Sequence, residues 1–169
     1  MSDLLHGGNL NIRLASQQDV DAVFDLYMDD VANPSLTYDP MDRESFKSLY
    51  IELLPTATLF VVEMAGKVIG TFRLIPKKDR QAHTIYLGGF VVDTSMKGRG
   101  IGTEILSYIV QLVANEGKTR IELTVDTENK PAIKLYEKIG FVIEGRIRNS
   151  YKRLPENRYF DEYLMGLIL

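Results

Sequence analysis

The sequence predicts an α/β (α+β) fold in a single domain, and three observations carry that expectation. Apolar runs of strand length alternate with amphipathic segments of helical spacing. Their order is β-α-α-β-β-β-α-β-α-β-β, about seven strands in all. One run, Phe90-Val91-Val92, leads through Asp93-Thr94-Ser95-Met96 and three alternate glycines, Lys97-Gly98-Arg99-Gly100-Ile101-Gly102, into a helix.

Taken in order, residues 1–8 read as a flexible tail and 9–169 as the domain. A first strand lies at about 10–15. Val20, Val23, Phe24, Leu26 and Tyr27 make Asp19 to Asp30 an amphipathic helix. Pro34 and Pro40 keep Val31 to Met41 from being regular helix. A second helix runs from about Asp42 to Leu54, where Pro55 stops it. Leu59 to Met64 and Lys67 to Leu74 flank Ala65-Gly66 as a hairpin. Pro76 to Gln81 is a polar loop, and Thr84 to Asp93 is the strand entering the glycines. The helix from Thr103 to Glu116 puts Ile105, Leu106, Ile109, Leu112 and Val113 on one face before Gly117 ends it. In Arg120 to Val125, Ile121, Leu123 and Val125 alternate inward. A short helix follows Asn129, and Phe141 to Arg153 with Arg158 to Leu169 form a closing antiparallel pair.

Composition narrows the classes of function. With 45% hydrophobic and 25% charged residues, the 169-residue chain has the makeup of a soluble globular domain with a substantial core. A net charge of −3 gives no basic face for nucleic acid. There is no cysteine, which excludes disulfides, thiolate metal sites and a cysteine acyl-enzyme. Two histidines, His6 and His83, are too few for a histidine metal cluster, so no metal is expected. Met1 to Gly8 lacks a basic segment followed by a long apolar one, and no run is long enough to span a bilayer; a cytoplasmic protein is expected.

The glycine segment is the most informative part of the chain. Glycines let backbone N–H groups approach a ligand, and the following helix adds the positive end of its dipole; together these suit a phosphate or pyrophosphate. A Walker loop is excluded because no Lys-Ser/Thr follows the glycines, and a dinucleotide fingerprint because Thr103 stands where its third glycine belongs. A plain tight turn between strand and helix is the bland alternative. A second segment, Asn129-Lys130-Pro131-Ala132-Ile133-Lys134-Leu135-Tyr136-Glu137-Lys138-Ile139-Gly140-Phe141, reads as a helix capped by Asn129 and stopped by Gly140. Periodicity alone makes Tyr136 a core tyrosine, in register with Ile133 and Ile139.

Together these segments resemble the GNAT N-acetyltransferases. Lys97 to Gly102 is similar to that family's Gln/Arg-x-x-Gly-x-Gly/Ala coenzyme A loop, with Lys97 at the usual Gln or Arg. Asn129 to Phe141 is similar to its Asn-x-x-Ala-x-x-Leu-Tyr-x-x-x-Gly-Phe signature. Asn11 to Asp19 resembles its opening strand and helix, so the likeness covers nearly the whole chain. It implies a mixed, mostly antiparallel twisted sheet with helices on both faces, the fourth and fifth strands splayed to admit pantetheine. It also implies acetyl-CoA as co-substrate. Phe90, Val91 and Val92 would pair their backbone with the pantetheine, Lys97, Gly98, Arg99, Gly100, Ile101, Gly102 and Thr103 would hold the pyrophosphate, and Asn129 would bond the pantetheine arm. Tyr136 would be the general acid for the departing thiolate.

The base stays open. Tyr86 stands where some relatives carry a strand glutamate, Asp93 reads as a turn residue, and His83, Glu122, Asp161 and Glu162 are candidates. At pH 7 a lysine amine is neutral in about one molecule in a few thousand, an α-amine in about a tenth. A missing strand carboxylate therefore leans towards an α-amine or a water-linked base. By the resemblance the acceptor pocket draws on Asn33-Pro34-Ser35-Leu36-Thr37-Tyr38, on Asn149-Ser150-Tyr151 and on Arg158 to Tyr163. The bacterial branch acting on free amino acids and small amines is the nearer likeness; a ribosomal-type protein N-terminal acetyltransferase and a non-catalytic acyl-CoA-binding module are the rivals. The apolar end Tyr163 to Leu169 is compatible with a homodimer and equally with a last core strand.

Overall fold

The structure, a computed structural model, describes residues 6, 7, 9–36 and 38–169. Of the expected tail, residues 1–5 and 8 lie outside the described residues, as does Thr37. The chain forms two compact units, residues 1–74 with 89–97 and residues 75–88 with 98–169.

In the first unit, His6–Gly7, placed in the tail by the sequence, forms a two-residue strand β1 that pairs antiparallel with β2 (Leu10–Leu14). β2 runs antiparallel to β3 (Leu59–Met64), which pairs in turn with β4 (Lys67–Pro76). Ala65 and Gly66 both hold positive φ, 51° and 76°, as a primed two-residue hairpin turn requires. Helix α1 (Val20–Tyr27) ends three residues before the predicted Asp30. The reason is local: the Asp29 carboxylate accepts from the N–H groups of Val31 and Ala32, closing a turn in competition with the helix. Helix α2 (Arg43–Leu53) starts where Asp42 accepts from the Ser45 N–H at 2.8 Å. Val23, Tyr27, Phe46, Tyr50, Leu59 and Val61 form the core beneath the two helices. Arg13 bonds both oxygens of the buried Asp19 at 2.8 Å and also reaches Glu63, tying β2, the turn before α1 and β3 together.

The second unit holds the first half of β5 (Thr84–Val92), then α3 (Ile101–Asn115), β6 (Arg120–Asp126), α4 (Lys130–Ile139), β7 (Val142–Arg153) and β8 (Arg158–Ile168). β5 and β6, the fourth and fifth predicted strands, are parallel, and their pairing lasts only from Thr84↔Arg120 to Tyr86↔Glu122. β6 continues to pair antiparallel with β8 as far as Asp126↔Glu162. β8 therefore lies between β6 and β7, the last strand of the chain inserted beside the fifth predicted one. Ile121, Leu123 and Val125 are buried as alternation predicts; Glu122 and Asp126, on the opposite face of β6, are buried too. No described helix is long and apolar enough to cross a membrane.

Candidate active site

Helix α3 begins at Ile101, two residues before the predicted Thr103. Gly100, at φ 79° with nothing within 4 Å of a would-be Cβ, is its N-cap and makes the turn in the left-handed region. The first helical bond runs from the Glu104 N–H to the Gly100 carbonyl at 3.1 Å. The N–H groups of Ile101, Gly102 and Thr103 thus come before it, at the positive end of a 15-residue helix. The glycine spacing concealed this start, since a helix seldom opens on Gly-Ile-Gly. Arg99 and Gly98 are exposed beside it.

On α4, Asn129 accepts from the Ala132 N–H at 3.2 Å, the expected cap, and its own N–H bonds the Asp126 carbonyl. Gly140 closes the helix at φ 112°. Tyr136 is buried, its ring edge-on to Phe141 at 5.8 Å. Burial, and next the neighbouring Tyr86 phenol, push its pKa well above the ordinary tyrosine value, so the hydroxyl keeps its proton. Tyr86 itself is half-buried, with its hydroxyl 2.9 Å from the Thr124 hydroxyl. Sequence reasoning missed Thr124, although alternation from Ile121, Leu123 and Val125 already puts it on the opposite face of β6.

The candidate carboxylates in this unit are held by other groups. Glu122 pairs with Lys77 and with Arg120. Asp161 accepts from the Asn149 N–H and from Arg146, which hold its carboxyl below the usual range. Glu162 accepts from Ser150, and His83 is exposed with its carbonyl bonded by the Thr119 N–H. Of the residues expected in the acceptor pocket, Tyr151 stacks on Phe160 at 5.4 Å and donates to the buried Asp126 at 2.6 Å.

In the first unit, Phe90, Val91 and Val92 end β5, with Val91 buried. A cavity of about 290 Å³ opens against Val91 and Val92, bounded also by Asp25, Leu26 and Asp29 of α1 and its following turn. Asp93 is the turn residue expected: it accepts from the Ser95 hydroxyl and N–H and from Lys67, and these bonds lower its pKa. Lys97 is exposed, its N–H bonded to the Thr94 carbonyl. Asn33 is buried and its amide donates to the Tyr27 and Tyr38 carbonyls, pinning the α1–α2 connection. Among the described residues no group of histidine, cysteine or acidic side chains is placed to hold a metal.

A family model, that of the acetyltransferase (GNAT) family, matches residues 20–141. An L-amino acid N-acetyltransferase of Escherichia coli (strain K12) is 34% identical over 105 residues, 61% of this chain and 63% of its own length. An N-alpha-acetyltransferase of Arabidopsis thaliana is 27% identical over 106 residues, 63% of this chain and 56% of its own. The chain thus spans less than two thirds of either relative. Among solved structures, a GNAT-family acetyltransferase from Bacillus anthracis superposes with a TM-score of 0.82 over 97% of both chains at 22% identity, a likeness of fold.

Proposed function

The chain belongs to the acetyltransferase (GNAT) family, and on that footing we propose that it transfers an acetyl group from acetyl-CoA to the primary amine of a small molecule, an amino acid being the leading candidate. The observation that carries the choice of acceptor is the likeness to the E. coli L-amino acid N-acetyltransferase. The side chains are consistent with it. Each carboxylate considered as a base is engaged elsewhere, which suits an α-amine that is already partly neutral near pH 7.

The pyrophosphate is assigned to Lys97, Gly98 and Arg99 and to the N–H groups of Gly100 to Thr103, supported by the early start of α3 behind Gly100. The pantetheine is assigned to the backbone of Phe90, Val91 and Val92, supported by the cavity against the latter two, and to Asn129. The buried hydroxyl of Tyr136 serves as the acid that protonates the thiolate as the C–S bond breaks. With no cysteine in the chain, the amine attacks the thioester directly. The two units are read as one catalytic domain because the family model runs through both.

A peptide N-terminus is the rival acceptor, favoured by the likeness to the Arabidopsis N-alpha-acetyltransferase. Thiol release from acetyl-CoA, measured against free L-amino acids, polyamines and short peptides, decides between them. Faster turnover of free amino acids is the expected result. Preference for peptides would transfer the assignment to the rival, and binding of acetyl-CoA without turnover of any acceptor would leave a non-catalytic acyl-CoA module.

A further inference from the structure

Backbone pairing between β5 and β6 stops at Tyr86↔Glu122. Thr124 lies two residues farther along β6, level with no bonded residue of β5. The two strands are nevertheless joined there, because the Tyr86 hydroxyl reaches the Thr124 hydroxyl at 2.9 Å. The ring leans along its own strand to do so. A Cβ on Gly88, its neighbour on the same face, would stand 3.2 Å from Tyr86 Cε1, so the glycine leaves room for the lean. Tyr86 and Thr124 are both half-buried, within reach of a small ligand. A phenol hydroxyl donates once and accepts as well, so with one function used by Thr124 the other is left for a ligand.

We propose that the Tyr86–Thr124 hydroxyl pair holds the attacking amine for acetyl transfer, Tyr86 accepting one N–H of the amine while Thr124 fixes the direction of the phenol. This rests on the acetyl-transfer reading above. Tyr86 would touch the substrate, and Thr124 is a positioning residue that acts through it. The electrostatic influence of Tyr86 on Tyr136 agrees with the two phenols serving one reaction centre. In the step itself the nitrogen lone pair forms the C–N bond and the C–S bond breaks. The sulfur takes the Tyr136 proton, and the nitrogen gives its surplus proton to water, from which Tyr136 is reprotonated. Tyr86 keeps its own proton and only directs the lone pair.

The test compares wild type with Tyr86→Phe, Thr124→Val, Thr124→Ser and the double variant Tyr86→Phe/Thr124→Val in single-turnover transfer. The acceptor is whichever member of the amino-acid, polyamine and peptide panel wild type turns over best. Tyr86→Phe and Thr124→Val should each slow transfer about tenfold or more, with Thr124→Ser within about threefold of wild type. The double variant should be no slower than the worse single one, since both remove the same interaction. Acetyl-CoA affinity and the position of the pH–rate profile should not move. Tyr86→Phe within twofold of wild type overturns the inference. So does Thr124→Ser as slow as Thr124→Val, which would mean that keeping the hydroxyl does not keep the rate. If wild type releases no thiol with any acceptor, the acetyl-transfer reading and this one fall together. An active wild type with silent variants overturns this one alone.

Discussion

Leu135 Cδ2 stands 3.1 Å from the point that a Cβ on Gly102 would occupy. Helices α3 and α4 meet there, so a side chain at the last glycine of the loop would press on Leu135, whatever that glycine does for a ligand. Gly98 and Gly100 differ from it: both hold positive φ with open space around a would-be Cβ.

These two kinds of glycine should separate in experiment. Gly102→Ala should destabilise the protein by about 1–2 kcal/mol through overpacking against Leu135. Gly100→Asp keeps a residue type that tolerates left-handed backbone and sets a carboxylate before the helix N-terminus. It should weaken acetyl-CoA binding at least about tenfold while the melting temperature stays within a few degrees. Calorimetric titration and thermal unfolding on both variants check this; unchanged affinity in Gly100→Asp would remove the phosphate assignment. Lys97→Ala should cost about tenfold or less, since backbone donors carry most of the contact.

Tyr136→Phe keeps the ring that packs on Phe141 and deletes only the hydroxyl. Transfer should fall by about 100-fold or more, as loss of general acid catalysis does, with acetyl-CoA affinity within about threefold. Single-turnover rates are the proper measurement, because slow product release can hide the chemical step. A variant as fast as wild type under those conditions would return Tyr136 to the role of a core tyrosine.

The pH–rate profile should follow the acceptor. With an α-amine of pKa about 7.8, the neutral fraction and so the rate at subsaturating acceptor rises with pH and levels off above that value. Tyr136, its pKa raised by burial, stays protonated throughout and imposes no alkaline fall below about pH 10. A profile that is flat from pH 6 to 9, with chemistry rate-limiting, is the contrary result.

Arg13 should matter most at neutral pH. Burial opposes ionisation of Asp19, but donors from Arg13 and Ser16 outweigh it and leave the pKa below the ordinary value. A depressed carboxyl pKa contributes stability that is present above the unfolded value, about 3.9, and is lost as pH falls through the folded one. Arg13→Met should therefore cost about 2–3 kcal/mol at pH 7, by leaving a buried carboxylate without its partner. That deficit should shrink as the pH is lowered below about 4. Denaturant melts at pH 7 and pH 3 measure it, and a deficit equal at both would mean that lost packing, not charge, is the cause.

Much of the chain was legible before any coordinates. The Ala65-Gly66 hairpin, the Asn129 cap and the Gly140 stop each depend on the conformational preference of one or two residues and their immediate neighbours. The buried faces of α3 and β6 followed from periodicity, because burial of one stripe is the condition under which such a segment folds. The glycine loop was visible from the spacing of its glycines, although its side-chain-free turns hid the two extra residues at the start of α3.

What the sequence determined by itself, then, was the main elements, all but the short β1, their order, and the family likeness carried in two contiguous segments. Tertiary structure alone decided which residues of distant segments share a place. Insertion of β8 between β6 and β7, the end of β5–β6 pairing at Tyr86, the reach of that tyrosine to Thr124 and the contact of Gly102 with Leu135 all join residues far apart along the chain. The capture of Glu122 by Lys77 and of Asp126 by Tyr151 belongs with them, and it sets which acids are occupied. Such pairings arise from the whole pattern of burial and hydrogen bonding, in which each strand's partner depends on where every other strand has gone. Local preference acts over a few residues and carries no record of that competition.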